Sequence, residues 1–188
     1  MDFEQIKRQL EQTLSKKRFE HSVAVSETAA RLARHYGGDE TKALLAGLVH
    51  DCVKEVDHKR MIGMCADFGL ALDEVMLSEQ KLIHARLGAE YAKRIFGIKD
   101  DEIYDAVYYH TTAKANMPLL TKIIYVADFI EPNRTFECVD EVRAKALENL
   151  DLAILDGLDY TINKMVFKKR MLHPETVNAR NYMIQKMR

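Results

Sequence analysis

Residues 18–36 read RFEHSVAVSETAARLARHY, and this stretch indicates the fold class. Helical periodicity places one set of its residues on a single face, namely His21, Val25, Thr28, Ala29, Leu32 and Tyr36. Gly37 and Gly38 follow, and glycine readily takes the left-handed conformation that ends a helix. The stretch therefore predicts an amphipathic helix whose apolar face carries one histidine.

The composition of the whole chain also favours helices. Its 188 residues include only eight Gly and three Pro, about half the usual share. So few turn-forming residues argue against a β-sandwich or barrel, and no stretch alternates convincingly between apolar and polar residues. We therefore expect an all-α protein. Its length fits one domain over residues 1–188, with a core at about 15–135 and C-terminal helices at 137–188 packed on it.

End signals divide the chain into further helices. Asp39 and Asp57 have the side chains of N-caps, Ser78 begins a stretch that Gly97 ends, and Pro118 stands at a first helical position. The predicted segments cover about residues 2–14, 40–53, 57–69, 78–97, 100–110, 118–132, 137–149, 151–168 and 174 onward.

Charge and cysteine content exclude several classes of partner. The 28 Lys and Arg against 29 Asp and Glu give a net charge of −1, which excludes a dominant electrostatic attraction to nucleic acid or an acidic membrane. There is neither a secretory signal pattern nor an apolar run of the roughly 18 residues that a membrane span needs. Cys52, Cys65 and Cys138 form no CxxC pair, so we expect reduced thiols in a cytoplasmic protein. Helix faces rich in Leu and Met leave a homodimer open.

Polar residues on apolar helix faces carry the functional signal. Four of the predicted helices have a histidine there and a fifth has an aspartate: the set is His21, His50 with Asp51, His84, His110 and Asp128. Burying these groups without partners costs several kcal/mol each, and a shared metal centre removes that cost. Imidazole and carboxylate together suit divalent iron, manganese, cobalt or zinc, whereas no thiolate is placed for a structural zinc site.

The neighbours His50 and Asp51 point about 100° apart on a helix, so they can share an ion only at the helix edge. Asp51 has two oxygens and could then bridge two ions. Two metals about 3.5–4 Å apart can lower the pKa of a water towards about 7 and neutralise phosphoryl oxygens. Lys54 and Arg134 are the nearest cations for a polyphosphate. The alternatives are a solvated lysine and a helix-end arginine that pairs with Glu131.

Five short motifs together resemble the HD-domain phosphohydrolase superfamily and, within it, the YqeK-type proteins, which split diadenosine tetraphosphate symmetrically into two ADP. The motifs are RFEHSVAV at 18–25, AGLVHDCVK at 46–54, IHARLGAEYA at 83–92, HTT at 110–112 and VADFIEPNR at 126–134. The likeness runs from about residue 15 to residue 180. It implies a helical bundle of the HD type with a dinuclear metal site in its core.

The resemblance also implies which residues hold the metals. One ion would be held by four residues, His21, His50, Asp51 and Asp128. A second would be held by His84 and His110, with Asp51 between the two ions. We expect iron, with zinc, manganese or cobalt as alternatives. Catalysis would rest on His50, Asp51 and Lys54.

The substrate contacts implied by the resemblance form a longer set, which comprises Arg18, His21, Lys54, Lys81, Leu82, Ile83, His84, Asp128, Arg134, Met171, Leu172, His173, Pro174, Glu175 and Thr176. One departure from the family pattern is Ala113, which stands where a glycine commonly follows HTT. If this position needs positive φ, the alanine costs about 1 kcal/mol.

Two other functions stay open on the residues alone. The first is an HD-type phosphohydrolase for another nucleotide or phosphoester. The second is a sensor that binds a metal or nucleotide without catalysis. Loss of one ligand would indicate such a sensor, but the sequence retains every residue of the set.

Overall fold

A computed structural model describes residues 1–137 and 139–188 of the chain. Over these residues it contains eleven α-helices, a 3₁₀ turn at Gln80–Leu82 and no β-strand, which confirms the all-α class. The helices are α1 (Phe3–Thr13), α2 (Lys16–Tyr36), α3 (Glu40–Val49), α4 (His58–Asp67), α5 (Glu74–Ser78), α6 (Ile83–Arg94), α7 (Asp101–Tyr109), α8 (Leu119–Ile130), α9 (Val139–Glu148), α10 (Leu150–Phe167) and α11 (Pro174–Lys186).

The helices that carry the candidate ligands share one apolar core. α2 packs against α3 and α8, and α7 packs against α6 and α8. Each of these five helices contributes side chains that are at most 1% exposed, for example Val25, Leu48, Leu87, Val107 and Ile124. α9 and α10 pack on α8, and α11 packs on α10. The domain boundaries expected from the sequence stay a prediction.

Several helix ends lie where the sequence places them. The backbone N–H of Lys42 donates to the Asp39 carboxylate at 3.0 Å, so Asp39 caps α3. Asp57 caps α4 in the same way. Gly37 ends α2 with φ of 69°, a conformation that favours glycine. These local signals are sufficient to locate the helix ends, because each cap satisfies backbone groups that the helix leaves unpaired.

Three predicted boundaries are wrong. Ser78 ends α5 instead of beginning a helix, because Asp73 caps α5 by accepting from the N–H of Met76 at 2.8 Å. α3 stops at Val49, not near residue 53, so that the His50 and Asp51 pair lies just beyond the helix. Pro118 is the residue before α8, one position earlier than its predicted place.

Two further expectations concern cysteines and membranes. Cys52 and Cys65 are buried free thiols, while Cys138 lies outside the described residues. Within residues 1–137 and 139–188, no helix combines the length and the apolar character needed to cross a membrane.

Candidate metal centre

Six polar side chains from five parts of the chain converge in the core. They are His21 on α2, His50 and Asp51 directly after α3, His84 on α6, His110 directly after α7, and Asp128 on α8. The first five are at most 8% exposed, and the Asp128 side chain is 23% exposed. Within the set, three overlapping groups have possible ligand atoms less than 4.8 Å apart. The structure therefore brings together the whole ligand set named from the sequence.

The two oxygens of Asp51 face different histidines. Its Oδ2 lies 3.7 Å from Nε2 of His21 and 3.4 Å from Nε2 of His50. Its Oδ1 lies 3.0 Å from Nε2 of His84 and 3.4 Å from Nε2 of His110. Because one carboxylate serves two donor groups, Asp51 has the geometry of a bridge between two cation positions.

Backbone carbonyls set the tautomers of two of these histidines. Nδ1 of His50 lies 2.7 Å from the Gly47 carbonyl, and Nδ1 of His110 lies 2.7 Å from the Val107 carbonyl. A carbonyl only accepts hydrogen bonds, so both Nδ1 atoms carry the proton and donate. The Nε2 atoms are left with lone pairs directed at the centre, the usual arrangement of a metal-binding histidine.

His84 presents the same kind of donor. The Lys54 ammonium donates to its Nε2 at 2.7 Å. Because an ammonium only donates, this Nε2 carries a lone pair and no proton. Burial, reinforced by the Lys54 charge, lowers the pKa of His84 to about 3, so its ring is neutral near pH 7. Nε2 of His110 lies only 3.1 Å away. Two facing lone pairs at this distance repel each other unless a cation lies near both.

Polar atoms without partners provide an independent test of whether this donor set fits a metal. Among the described residues, Nε2 of His21, Nε2 of His50 and Oδ1 of Asp51 are buried and accept or donate no hydrogen bond. Buried polar atoms normally have partners, and neutral imidazoles with carboxylates are the ligands that divalent transition metals accept. The cluster therefore fits a metal centre.

Three cationic side chains border the centre. Arg18 donates from Nη1 to Oδ2 of Asp51 at 2.7 Å, and Nζ of Lys54 lies 3.5 Å from Oδ1 of the same carboxylate. Arg134 pairs with the carboxylate of Asp128 and donates from Nε to the main-chain oxygen of that residue at 2.8 Å. Three cations that were predicted as substrate contacts, two of them for the polyphosphate, therefore lie beside the donors.

Burial and charge oppose each other at the carboxylates. Burial acts to raise the pKa of Asp51, but electrostatic interaction with its neighbours, chiefly the adjacent His50 and the Lys54 ammonium, outweighs burial and holds the pKa well below its usual range. The pKa of Asp128 is likewise held low, against burial, by the close approach of His21, whose Nε2 lies 3.1 Å from its Oδ1, and by the charge of Arg134. Both groups are therefore ionised at neutral pH, the form in which a carboxylate binds a metal.

Glu131 is a site residue that the sequence analysis missed in this role. It was considered from the sequence only as a partner for Arg134, and Nε of that arginine does form an ion pair with its Oε1 at 3.7 Å. Glu131 is 2% exposed, lies 3.1 Å from Nδ1 of His21 and accepts from the N–H of Asn133 at 2.7 Å. A carboxylate here holds the proton of His21 on Nδ1 and aims Nε2 at the centre. An acid three residues after Asp128 in VADFIEPNR was the available signal.

A cavity of about 750 Å³ opens onto this centre. Its lining includes His21 and Asp128 of the donor set, together with Arg18 and Arg134. The remainder of the wall includes four aromatic side chains that the sequence analysis did not single out, namely the buried Tyr125 and the half-buried Phe129, Phe136 and Tyr160. A polar end with cations and an aromatic wall suit a ligand that is part phosphate and part planar ring.

The other predicted substrate contacts lie elsewhere. Lys81 and Leu82 belong to the 3₁₀ turn, Ile83 begins α6, and residues 171–176 lead into α11; none of them lines this cavity. The two segments are tied to each other, because the buried Glu79 pairs with Arg170 and accepts from the N–H of Met171 at 3.3 Å.

His173 belongs to the same link. It caps α11, and its Nε2 lies 3.0 Å from the Asp73 carboxylate and 3.2 Å from Nη2 of Arg86. The structure therefore joins the residues before α6 to those before α11, at a place separate from the cavity wall.

Ala113 does have a positive φ, of 58°, and is fully buried. Its N–H donates to the Tyr109 carbonyl at 2.8 Å, and this hydrogen bond forms a turn directly after α7. This position therefore does need a positive φ, and an alanine here carries the expected backbone cost of about 1 kcal/mol. The turn after His110 is nevertheless formed.

The fold and the donor set define a class of protein. The HD domain family matches residues 18–133, a range that includes all six candidate ligands, and the chain belongs to this family. The resemblance indicated by the five motifs is thereby confirmed.

Relatives that match nearly the whole chain are more specific. A protein from Halalkalibacterium halodurans named symmetrical bis(5'-nucleosyl)-tetraphosphatase is 37% identical, over 91% of each chain. A protein of the same name from Bacillus subtilis is 35% identical, over 93% of this chain and 94% of its own. The chain is also similar to a crystal structure from Clostridium acetobutylicum, described as a predicted HD superfamily hydrolase involved in NAD metabolism. The TM-score is 0.96 at 41% identity, covering 99% of this chain and 98% of that one.

Proposed function

We propose that the chain hydrolyses symmetrical dinucleoside tetraphosphates, and that it splits diadenosine tetraphosphate into two molecules of ADP. The observation that carries this proposal is the carboxylate of Asp51, whose two oxygens face two groups of histidines beside a cavity bordered by cations. The names of the relatives that match over nine-tenths of the chain support the substrate.

Two divalent ions are proposed for the centre. His21, His50, Asp51 and Asp128 would hold one ion, and His84 and His110 would hold the other, with Asp51 shared. We propose iron. Zinc, manganese and cobalt are the alternatives, because histidine and carboxylate donors bind all four metals. When bound, such a pair supplies positive charge at the phosphoryl oxygens and lowers the pKa of a water.

The reaction balances as a simple hydrolysis. The oxygen of a water bonds to a phosphorus beside the central bridging oxygen, and the bond from that phosphorus to the bridging oxygen breaks. The bridging oxygen leaves with the other half of the molecule, and the protons of the water pass to the solvent. Each product leaves as a nucleoside diphosphate. Asp51 and His50 would hold positive metal charge beside the phosphorus that is attacked. The Lys54 ammonium donates a hydrogen bond to a phosphoryl oxygen.

Guanidinium groups hold the remaining phosphates in this proposal. Arg18 and Arg134 border the cavity and can each donate two parallel hydrogen bonds to a phosphate. Both now contact the carboxylates of the centre, so binding of phosphate would exchange one anionic partner for another.

Product analysis tests the reaction. Diadenosine tetraphosphate hydrolysed in ¹⁸O-labelled water should give only ADP, with the label in one of each pair of ADP molecules. AMP together with ATP would contradict the symmetric cleavage. Lack of turnover with all four metals, in a protein that still binds them, would favour the sensor interpretation.

Three further properties are proposed from the sequence. We propose that residues 1–188 form one HD domain, that the protein is cytoplasmic, and that its faces rich in Leu and Met permit a homodimer. Light scattering in solution tests the dimer, and a monomer at micromolar concentration would contradict it.

A further inference from the structure

Three aromatic rings from separate parts of the chain form one wall of the cavity. Phe129 is on α8, Phe136 follows α8, and Tyr160 is on α10. The ring centroids of Phe129 and Phe136 are 4.6 Å apart, those of Phe136 and Tyr160 are 4.8 Å apart, and those of Phe129 and Tyr160 are 5.5 Å apart. All three rings are half-buried, so each has one part in the packing and another towards the cavity.

A glycine on α10 lets this wall form. A Cβ atom at Gly157 would lie 3.2 Å from the ring of Tyr125 and 3.7 Å from the ring of Phe129. The missing side chain therefore allows α10 to approach α8 closely. On the open side, the Lys164 ammonium lies 5.4 Å from the centroid of Tyr160, which adds a cation to the rim.

The same cavity connects the wall with the metal centre. Its lining includes Asp128 of the donor set, Arg18 and Arg134, and then the three rings. This combination of anion-binding cations and stacking surfaces matches the phosphates and the base of a nucleotide. The volume of about 750 Å³ lies within the usual range for small-molecule sites.

A substrate cleaved at its centre has a nucleoside on both sides of the reacting phosphorus. The segments that the resemblance implies as nucleotide contacts, residues 81–84 and 171–176, do not line this cavity. The cavity is thus available for the other half of the molecule. We propose that Phe129, Phe136 and Tyr160 stack against the base of one nucleoside diphosphate half. The proposal rests on the function proposed above.

The chain contains no Trp, so one substitution makes a specific reporter. Phe136→Trp keeps an aromatic surface in the wall and introduces the sole indole of the protein. ADP should quench the emission of this indole saturably in the metal-loaded protein. Inorganic tripolyphosphate, which has phosphates without a base, should bind with a much smaller change in emission.

Removal of the rings should weaken binding of the base. Base stacking on an aromatic side chain is strong enough that Tyr160→Leu should raise the Kd for ADP about tenfold. The Kd for tripolyphosphate should change less than twofold. Phe68→Leu is a matched control, because Phe68 is a half-buried ring that does not line the cavity. It should leave both constants unchanged.

The possible outcomes separate this proposal from the function. If ADP inhibits the enzyme competitively but leaves the indole emission of Phe136→Trp unchanged, the wall does not bind a base. Equal losses of ADP and tripolyphosphate affinity in Tyr160→Leu would also overturn it. Absence of diadenosine tetraphosphate turnover by the wild-type protein would contradict the proposed function, while a quench by ADP alone would still support the wall.

Discussion

At the scale of single residues, Asp51 has more contacts within the centre than any other candidate ligand, because it lies beside both groups of histidines. Asp51→Ala should therefore abolish binding of both ions together. His84→Ala should instead empty mainly the second position, since His84 faces only Oδ1. Elemental analysis of the purified variants measures both effects, and full metal occupancy in Asp51→Ala would refute the bridging role.

A matched control separates metal loss from general damage. Asp67 is an exposed acid on α4, so Asp67→Ala should keep the metal content and the Tm of the wild type. Circular dichroism then shows whether Asp51→Ala remains helical. A folded Asp51→Ala without metal is the expected result.

Arg134 is predicted to hold the polyphosphate, but it also supports the end of α8 through the Asp128 carbonyl. Loss of a bidentate, charge-assisted contact worth roughly 3 kcal/mol should lower kcat/KM about a hundredfold in Arg134→Ala. Arg134→Lys should recover only part of this, because an ammonium cannot donate in parallel. A lowered Tm with unchanged kcat/KM per folded molecule would end the phosphate role.

At the scale of elements, the end of α10 offers a test of backbone strain. Lys169 is exposed and has φ of 52°, which costs an L-residue about 1–2 kcal/mol. Lys169→Gly removes this cost but gives the unfolded chain more freedom, so the net gain should be about 0.5–1 kcal/mol. Thermal unfolding should show a Tm higher by about 1–4 °C.

Neighbouring positions serve as controls for that gain. Lys168 has φ of −83°, so Lys168→Gly relieves no strain and should lower the Tm. Ala113→Gly should raise it less than Lys169→Gly, because the buried methyl group is also lost. A lower Tm in Lys169→Gly would contradict the strained conformation.

Helix ends were predictable from the sequence where a single side chain determines them. Asp39 and Asp57 needed only their own neighbours to act as caps. Ser78 was misplaced because Asp73 provides an equally good cap five positions earlier, and the helix that begins there is too short to show a period. The early end of α3 has no local signal, since His50 still has helical φ and ψ values.

At the scale of the whole molecule, Asp151 ties three helices together. It pairs with Lys122 on α8 at 2.6 Å and with Lys186 on α11 at 2.9 Å. Burial acts to raise the pKa of Asp151, but these hydrogen bonds hold it below its usual value. A depressed pKa contributes stability above the unfolded value of about 3.9, and this contribution disappears as the pH falls through the folded pKa.

Asp151→Asn should therefore lower the Tm by about 2–4 °C at pH 7, corresponding to about 1 kcal/mol. The difference from the wild type should shrink below pH 4, where both proteins carry a neutral group. Asp67→Asn, at an exposed position, should show no difference at either pH. A gap that persists or widens in acid would contradict the ion pairs.

The metal centre was more predictable than the cavity for a physical reason. Each candidate ligand is polar where the helical period requires an apolar residue. One such histidine is more often an ordinary core residue, but six such positions in one chain indicate a shared site. The rings of Phe129, Phe136 and Tyr160 resemble ordinary core residues, and only the approach of α10 to α8 brings them into one wall. The link from Glu79 to Arg170 spans 91 positions and likewise has no local sign.

On the ribosome, His21 is synthesised long before Glu131, since 110 positions separate the two residues. At translation rates of roughly 5–20 residues per second, this interval lasts on the order of 5–20 s. During that time the nascent chain has its first histidines without the α8 carboxylate or the acid that orients His21. Assembly of the complete donor set therefore has to follow synthesis of α8, and it cannot guide the early folding of α2.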